Sequence, residues 1–364
     1  MTIRKLIFLS LAFLCSLSGC MEDEQIWEYG NPGFDIAPGG LFIINEGNFM
    51  YGNSSLTYYD PVSRQVINDV FFQTNTLPLG DVAHSMTIRD SLGYVVVNNS
   101  GRIYVMNTST FEVKGKITGL TSPRYMHFIN ETKAYVTDLY ARSIAIVNPQ
   151  TLEVTGAIPV NNGSSDFYQH ATEQLLQYDR FVYTNCWSFD NQVLVIDSHL
   201  DRVVDSIEVI RQPNSMVMDK YHTLWVLCDG GTEGSPYGTE APGLLRVLAG
   251  SKEAELVLDF TPGELPGDLK INGTGDTLFF INKDVFRYAV DGEGPPELVI
   301  DSPYEGSLLN GFYGLEVDPF NSEIYVADAI DFVQHGMVYR FSQDGTSLDT
   351  FQTGIAPGSF CFNF

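Results

Sequence analysis

The chain has 364 residues, 44% of them hydrophobic and 13% aromatic, which is enough apolar material for a large core. Its 45 acidic side chains outnumber 20 basic ones, and the net charge of −25 argues against nucleic acid and anionic membrane surfaces as partners. Beyond the N-terminal segment the cysteines are Cys186, Cys228 and Cys361, an odd number without CxxC spacing. This pattern excludes a disulfide framework or a zinc motif as the main stabiliser and predicts buried free thiols.

The N-terminus has the pattern of a signal peptide. Arg4 and Lys5 give it a positive start, and the apolar run over 6–14 is too short to span a bilayer. Residues 17–20, with the sequence LSGC, resemble a bacterial lipobox. The resemblance makes Cys20 the expected lipidation site, which would tether the protein to a membrane without a transmembrane helix.

The segment after Cys20 is acidic and then rich in proline and glycine. Its acidic run at 22–24 resembles the surface-export signal of Bacteroidota lipoproteins, although a solvated tether would have the same composition. The segment through Gly40 is typical of a linker. We therefore expect three parts: a signal peptide at 1–19, a lipidated tether at 20–40 and a folded domain at 41–364.

The rest of the chain repeats one unit, which is clearest at 132–160. There AYVTD, SIAIVN and EVTGAIPV predict three successive strands, with a turn at Pro149 between the last two. The second strand recurs seven times at intervals of roughly 40–54 residues. The first unit begins at its second strand, 41–45, and the missing first strand appears at 358–363. This circular offset predicts an all-β, seven-bladed β-propeller with four-stranded antiparallel blades, closed by the C-terminal strand.

In a propeller, loops between the second and third strands and loops between blades open on the same side, here called the long-loop face. In this sequence those loops are long and aromatic, whereas the turns of the opposite side are short and polar. This difference between the two sides is typical of a protein with a binding surface on one face. Each aromatic ring could instead pack beneath its own loop. The aromatic residues on these loops are Phe49, Tyr51, Tyr140, Phe167, Tyr168, Trp187, Phe189, Tyr237, Tyr304, Phe312, Tyr313 and Phe332.

Polar residues begin most of the predicted first strands and should surround the channel on the long-loop face. They are His84, Arg124, His170, Asn214, Asp268 and Tyr313, with His84 and His170 expected at equivalent positions. Their possible roles are metal ligation, contact with a bound cobalt, hydrogen bonds to a polar ligand, or a hydrated rim. Glu173, Lys270 and Glu316 should lie deeper in the channel. The two glutamates could hold a metal, but we favour ion pairs between them and Lys270 and Arg124.

No nucleophile motif of the GxSxG, HExxH or SxxK type occurs, and the glycine clusters open no helix. We therefore expect a protein that is not an enzyme, with no catalytic residue and no cofactor or metal of its own.

The repeated pattern, with AYVTD at 134–138 and YVVVN at 94–98, resembles the bacterial YVTN-type propellers from about Gly40 to the C-terminus. With the lipobox and the opening LFIINEGNFMYGNSSLTYYDP, the whole chain resembles the surface propeller lipoproteins of Bacteroidota. The best understood branch of these captures cobalamin and passes it to an outer-membrane TonB-dependent transporter. The resemblance implies an outer-membrane, surface-exposed lipoprotein with cobalamin or a related corrinoid as transported ligand.

A corrinoid is large and flat, with apolar faces and a fringe of amides, so the aromatic loops suit it. The expected ligand-binding residues are Phe49, Tyr51, His84, Arg124, Tyr140, His170, Trp187, Phe189, Tyr237, Tyr313 and Phe332. Two alternatives remain open. One is a glycan- or protein-binding module on the same face. The other is a metal-dependent propeller lactonase or lyase, which requires His84, His170 and Glu173 or Glu316 to converge.

Overall fold

The computed structural model describes residues 34, 36, 38–160, 170–304 and 311–364. The predicted signal peptide and Cys20 lie outside these residues, as do Phe167 and Tyr168. Within them the chain forms seven four-stranded antiparallel sheets, which confirms the predicted seven-bladed propeller.

The sheets follow the chain in order, and each is one blade. Blade 1 contains β1 (Gly40–Asn45), β2 (Ser55–Asp60) and β3 (Gln65–Ile67). Blade 2 contains β4 (Ala83–Arg89), β5 (Leu92–Val97), β6 (Arg102–Asn107) and β7 (Val113–Ile117). Blade 3 contains β8 (Pro123–Asn130), β9 (Lys133–Asp138), β10 (Ser143–Asn148) and β11 (Glu153–Pro159), and so confirms the strands predicted at 132–160.

The second half of the ring repeats this arrangement. Blade 4 contains β12 (Thr172–Tyr178), β13 (Phe181–Cys186), β14 (Gln192–Asp197) and β15 (Arg202–Glu208). Blade 5 contains β16 (Pro213–Met218), β17 (Thr223–Cys228), β18 (Gly243–Leu248) and β19 (Glu255–Asp259). Blade 6 contains β20 (Gly267–Ile271), β21 (Thr277–Asn282), β22 (Asp284–Ala289) and β23 (Glu297–Ile300). Blade 7 contains β24 (Phe312–Val317), β25 (Ile324–Asp328), β26 (His335–Phe341) and β27 (Ser347–Ile355).

The last strand, β28 (Pro357–Asn363), completes blade 1 by pairing with β1, where Phe42 lies opposite Cys361. The innermost strands β4, β8, β12, β16, β20, β24 and β28 each contact the next, and β28 contacts β4. The ring is therefore closed by hydrogen bonds between the two ends of the chain, as the circular offset predicts.

The core lies between the blades and repeats with them. The second strands of the blades carry a buried aromatic side chain at one equivalent position, each at most 3% exposed: Phe42, Tyr94, Tyr135, Tyr183, Trp225, Phe279 and Tyr325. Alternation along a strand directs every second side chain into the space between two blades. The core therefore repeats once in each blade, as the sequence does.

One element was not anticipated. The helix α1 (Val70–Asn75) lies between blades 1 and 2 and buries Val70 and Phe71 against the core. Because it is only six residues long, it has no helical periodicity that sequence analysis could detect.

Candidate functional site

The channel opens on the long-loop face, where every innermost strand carries a β-bulge in its first residues. A bulge inserts an extra residue and re-aims side chains, and these bulges lie at the same end of all seven innermost strands. We call this ring the channel mouth. The residues at these bulges are His84, Arg124, Glu173, Asn214, Asp268, Tyr313 and Gly358.

The predicted equivalence of His84 and His170 is wrong. Strand β12 begins at Thr172, so Glu173 takes in blade 4 the place that His84 takes in blade 2. His170 precedes the strand, and its Nδ1 is 2.6 Å from Oδ2 of Asp190 in the loop 186–191. The alternation of polar and apolar residues does not show where a strand begins. For this reason His170 was predicted at the rim of the channel, and Glu173 was predicted deeper in the channel than it lies.

Arg124 and Glu173 form the main ion pair of the channel mouth. Nε of Arg124 donates to both carboxylate oxygens, at 2.9 and 2.8 Å. Burial raises the pKa of Glu173 and the guanidinium opposes that rise. The favoured pairing of this carboxylate with arginine is confirmed.

His84 lies beside this ion pair without joining it. Its Nε2 is 3.8 Å from Oε2 of Glu173, and its ring packs edge-on against Tyr125 with 5.0 Å between centroids. Nε2 is buried and has no hydrogen-bond partner among the described residues. Burial lowers the pKa of His84 well below its usual range, and the Arg124 charge lowers it further. The imidazole is therefore neutral at pH 7 and offers one unused nitrogen.

A second ionic group lies on blades 6 and 7. Nζ of Lys270 is 3.3 Å from Oδ1 of Asp268 and 3.2 Å from Oε2 of Glu316, which confirms the other favoured pairing. Burial alone would lower the pKa of Lys270, but the two carboxylates outweigh it and the pKa is raised. Asp268 also accepts a hydrogen bond from the backbone N–H of Leu315.

Glu46 borders the channel mouth and was not predicted as a site residue. The Tyr313 hydroxyl donates to its Oε2 at 3.0 Å. Burial raises the pKa of Glu46, against the lowering effect of this hydrogen bond. The carboxyl reaches the mouth across Gly358, where a Cβ atom would lie 2.7 Å from Oε1 of Glu46. Glu46 is the first residue of the loop 46–55. The neighbouring sequence does not indicate that its side chain points towards the channel.

The aromatic loops form two groups. In the first, loops 46–55 and 329–336 of blades 1 and 7 meet where the Asn48 side chain donates to the Phe332 carbonyl. Phe49 is 65% exposed, Tyr51 79% and Phe332 40%. The ring of Phe332 also packs edge-on against Tyr313, 4.9 Å away, which connects this group to the channel mouth.

The second group comes from loops of blades 4 and 5. Phe189 and Tyr237 pack with 5.2 Å between ring centroids, and Nε1 of Trp187 donates to Oδ2 of Asp229 at 3.3 Å. Trp187 and Phe189 are half-buried, so packing beneath their own loops accounts for part of their role. Tyr140, on blade 3, is 64% exposed. In a ring of seven, blades 7 and 1 face blades 4 and 5 across the channel.

The convergence required by the metal-dependent enzyme alternative does not occur among the residues named for it. Glu173 is bound by Arg124, Glu316 by Lys270, and His170 by Asp190. His84 has only Glu173 of this set beside it. Separately, no helix among the described residues is long and apolar enough to cross a membrane.

Solved structures support the fold but share little sequence. The quinonprotein alcohol dehydrogenase-like protein BT1487 of Bacteroides thetaiotaomicron is 14% identical with a TM-score of 0.66, over 89% of this chain and 78% of that one. The periplasmic gluconolactonase PpgL of Pseudomonas aeruginosa is 12% identical with a TM-score of 0.63, over 89% and 99%. A functionally unknown protein of Desulfotomaculum acetoxidans is 11% identical with a TM-score of 0.63, over 89% and 98%.

At these identities the likeness extends to the fold alone. A search of curated proteins finds no match to the chain. The family model for a domain of unknown function (DUF5074) matches residues 39–247, which is more than half of the 364 residues and covers blades 1 to 4 and most of blade 5. The chain is a member of the DUF5074 family.

Proposed function

We propose that this propeller is a non-enzymatic surface lipoprotein that captures cobalamin or a related corrinoid on its long-loop face. The observation that carries the proposal is the exposure of Phe49, Tyr51 and Tyr140, each more than 60% accessible, on loops around the channel mouth. Large exposed aromatic side chains on loops around a channel opening are typical of binding sites.

The chemistry of the face suits a wide, flat ligand. Two aromatic groups on opposite sides of the channel provide apolar contact for the faces of a corrin ring. Between them the half-buried Glu46 carboxylate, which already accepts one hydrogen bond from Tyr313, offers acceptor oxygens to amides at the ligand's edge. The charges of the mouth are largely paired, which suits a ligand close to neutral.

The proposal includes the route of the ligand. Acylation at Cys20 would hold the propeller at the outer membrane, and a TonB-dependent transporter would receive the corrinoid from it. Both steps rest on the lipobox resemblance and on the acidic run at 22–24. Replacing Cys20 with alanine should release the protein from the membrane fraction, and protease treatment of intact cells should degrade the wild-type protein if it is exposed at the surface.

The direct test is calorimetric titration of cyanocobalamin into the purified protein, followed by desalting to detect pink protein. We expect saturable one-to-one binding that Tyr140→Ala weakens. Tyr140 is a better probe than Trp187, because Trp187 also holds Asp229 and its loss would disturb a loop. Absence of both heat and co-elution would rule out the corrinoid proposal.

The two alternatives have their own readouts. Retention on a polysaccharide column without corrinoid binding would indicate a glycan-binding module that uses the same aromatic groups. Hydrolysis of a lactone that depends on added metal would indicate an enzyme.

A further inference from the structure

We propose that His170, Cys186 and Asp190 form a binding site for a thiophilic divalent cation such as zinc, on the long-loop face of blade 4. One potential ligand atom from each side chain lies within 4.8 Å of the other two. The group lies outside the channel mouth, and the proposal does not depend on what the aromatic loops bind.

The fold brings His170, which precedes β12, next to Cys186 and Asp190, which lie four residues apart at the end of β13 and in the loop before β14. Cys186 is the last residue of β13 and lies opposite Thr172 of β12. The next backbone N–H, of Trp187, donates to the Ala171 carbonyl at 3.1 Å, which fixes the segment that carries His170. Asp190 is held separately, because its carbonyl accepts a hydrogen bond of 2.7 Å from the backbone N–H of Gln212.

The ligand types and spacing suit zinc. Thiolate, imidazole and carboxylate are its usual protein ligands, and two atoms bound to one tetrahedral zinc lie about 3.3–3.7 Å apart. Here the Nδ1–Oδ2 distance of His170 and Asp190 is 2.6 Å, so the two side chains need to separate by only about an ångström. Three protein ligands leave a fourth position open.

The open position would face the surface of the molecule. The Cys186 side chain is fully buried, whereas those of His170 and Asp190 are 15% and 13% exposed. A cation can therefore enter from the side of the imidazole and carboxylate, with the sulfur forming the floor of the site.

Blade 5 provides an internal comparison. Cys228 ends β17 as Cys186 ends β13, is equally buried, and lies opposite Pro213 at the start of β16. Two residues before β16 stands Arg211, where blade 4 has His170 two residues before β12. A guanidinium cannot bind a cation, so blade 5 retains the buried thiol without the ligand set. The cluster is thus a feature of blade 4 rather than a consequence of the repeated strand.

The charges of the ligand set match a divalent cation. In the metal-free protein Cys186 is a buried free thiol. On binding, the S–H bond breaks, the sulfur bonds to the metal, and the proton passes to the solvent. The thiolate and the Asp190 carboxylate together then neutralise the two positive charges of the cation.

The test uses Co²⁺ as a spectroscopic substitute for zinc, added to the purified, chelator-treated protein without corrinoid. We expect a thiolate-to-cobalt charge-transfer band that saturates at one equivalent and that added Zn²⁺ removes. Cys186→Ala should abolish the band, and Cys228→Ala, the matched buried thiol, should keep it. Absence of a thiolate band in the wild-type protein, or a band that survives Cys186→Ala, would overturn the proposal.

A second measurement covers the case in which Cys186→Ala fails to fold. Calorimetric titration of Zn²⁺ into wild-type protein, in buffers of different ionisation enthalpy, should show release of about one proton per metal. Asp190→Asn keeps the shape of the side chain and should weaken zinc binding by more than about 10-fold. Equal zinc affinity in wild-type and Asp190→Asn protein would refute the site. Corrinoid binding, measured separately, can fail without affecting either result.

Discussion

The channel mouth is charged and buried, whereas the loops around it are aromatic and exposed. At the mouth, Arg124 and Lys270 each engage acidic partners within 3.3 Å. On the loops, Tyr51 and Tyr140 leave more than 60% of their surface in water. Buried charges must find partners within the fold, because desolvation is costly. The exposed faces of Tyr51 and Tyr140 leave a contact surface that is available to a ligand. The ion pairs of Arg124 and Lys270 therefore stabilise the fold, whereas the exposed rings are the surface that the proposed ligand would contact.

The largest effect on this comparison should come from Arg124→Met. Removing the guanidinium leaves Glu173 buried without its cation, and the free energy of unfolding should fall by about 3–5 kcal/mol in urea denaturation. Arg246→Met is the matched control, because Arg246 and Glu255 form an equally short pair of 2.8 Å on the surface. That control should lose less than about 1 kcal/mol. Equal losses in the two variants would mean that the Arg124 pair is solvated like a surface pair.

Gly358→Ala should have the next largest effect. The new Cβ would occupy the space of the Glu46 carboxyl and break its hydrogen bond with Tyr313, which should cost about 1–2 kcal/mol of unfolding free energy. Gly311→Ala is the control, since a Cβ there meets no atom of the described residues within 4 Å. Equal stability of the two variants in thermal denaturation would show that the Glu46 carboxyl does not need a glycine at position 358 to reach the channel mouth.

Tyr51→Ala should change binding rather than stability. Its side chain is 79% exposed, so unfolding free energy should stay within about 0.5 kcal/mol of wild type. Corrinoid affinity, measured by calorimetry, should fall about 10-fold, as expected for a moderate contact residue. Tyr221→Ala removes a tyrosine that is 57% exposed on the opposite face and should leave affinity unchanged. Equal affinity losses in both variants would contradict binding on the long-loop face.

His84→Gln should alter how stability depends on pH. The pKa of His84 is lowered in the folded state, so the unfolded chain takes up this proton first as the pH falls below about 6.5. Wild-type protein should therefore lose stability relative to His84→Gln as the pH falls from about 6.5 towards the folded pKa, by about 1 kcal/mol per pH unit. Above pH 7 the difference between the two should be constant. Parallel stability curves throughout this range would show that His84 titrates as in the unfolded chain.

The fold could be predicted from the sequence because the same strand pattern repeats in every blade. Strand patterns that recur at intervals of roughly 40–54 residues identified the blades, and the missing first strand at 358–363 identified the closure. The same analysis located the exposed rings of Tyr51, Tyr140 and Phe332 on one face. It did not locate α1, because one helical turn and a half leaves no periodic signal.

The composition of the site was harder to predict. The sequence named His84, Arg124 and Tyr313 on the rim, but it put His170 in place of Glu173 and did not single out Glu46 or Asp190. The sequence pattern placed the start of β12 at His170, two residues before the observed start at Thr172, and the bulge that follows sets which side chain reaches the channel.

The amino-acid sequence by itself determined the seven blades, their closure and the difference between the two faces, because each follows from short-range alternation repeated along the chain. Only the tertiary structure decided which polar side chains meet. Arg124 and Glu173 lie on neighbouring blades, and His170, before β12, meets Cys186 at the end of β13 and Asp190 of the loop between β13 and β14. Their encounters depend on where each bulge begins and how each loop turns, and both are set by packing between blades rather than by local pattern.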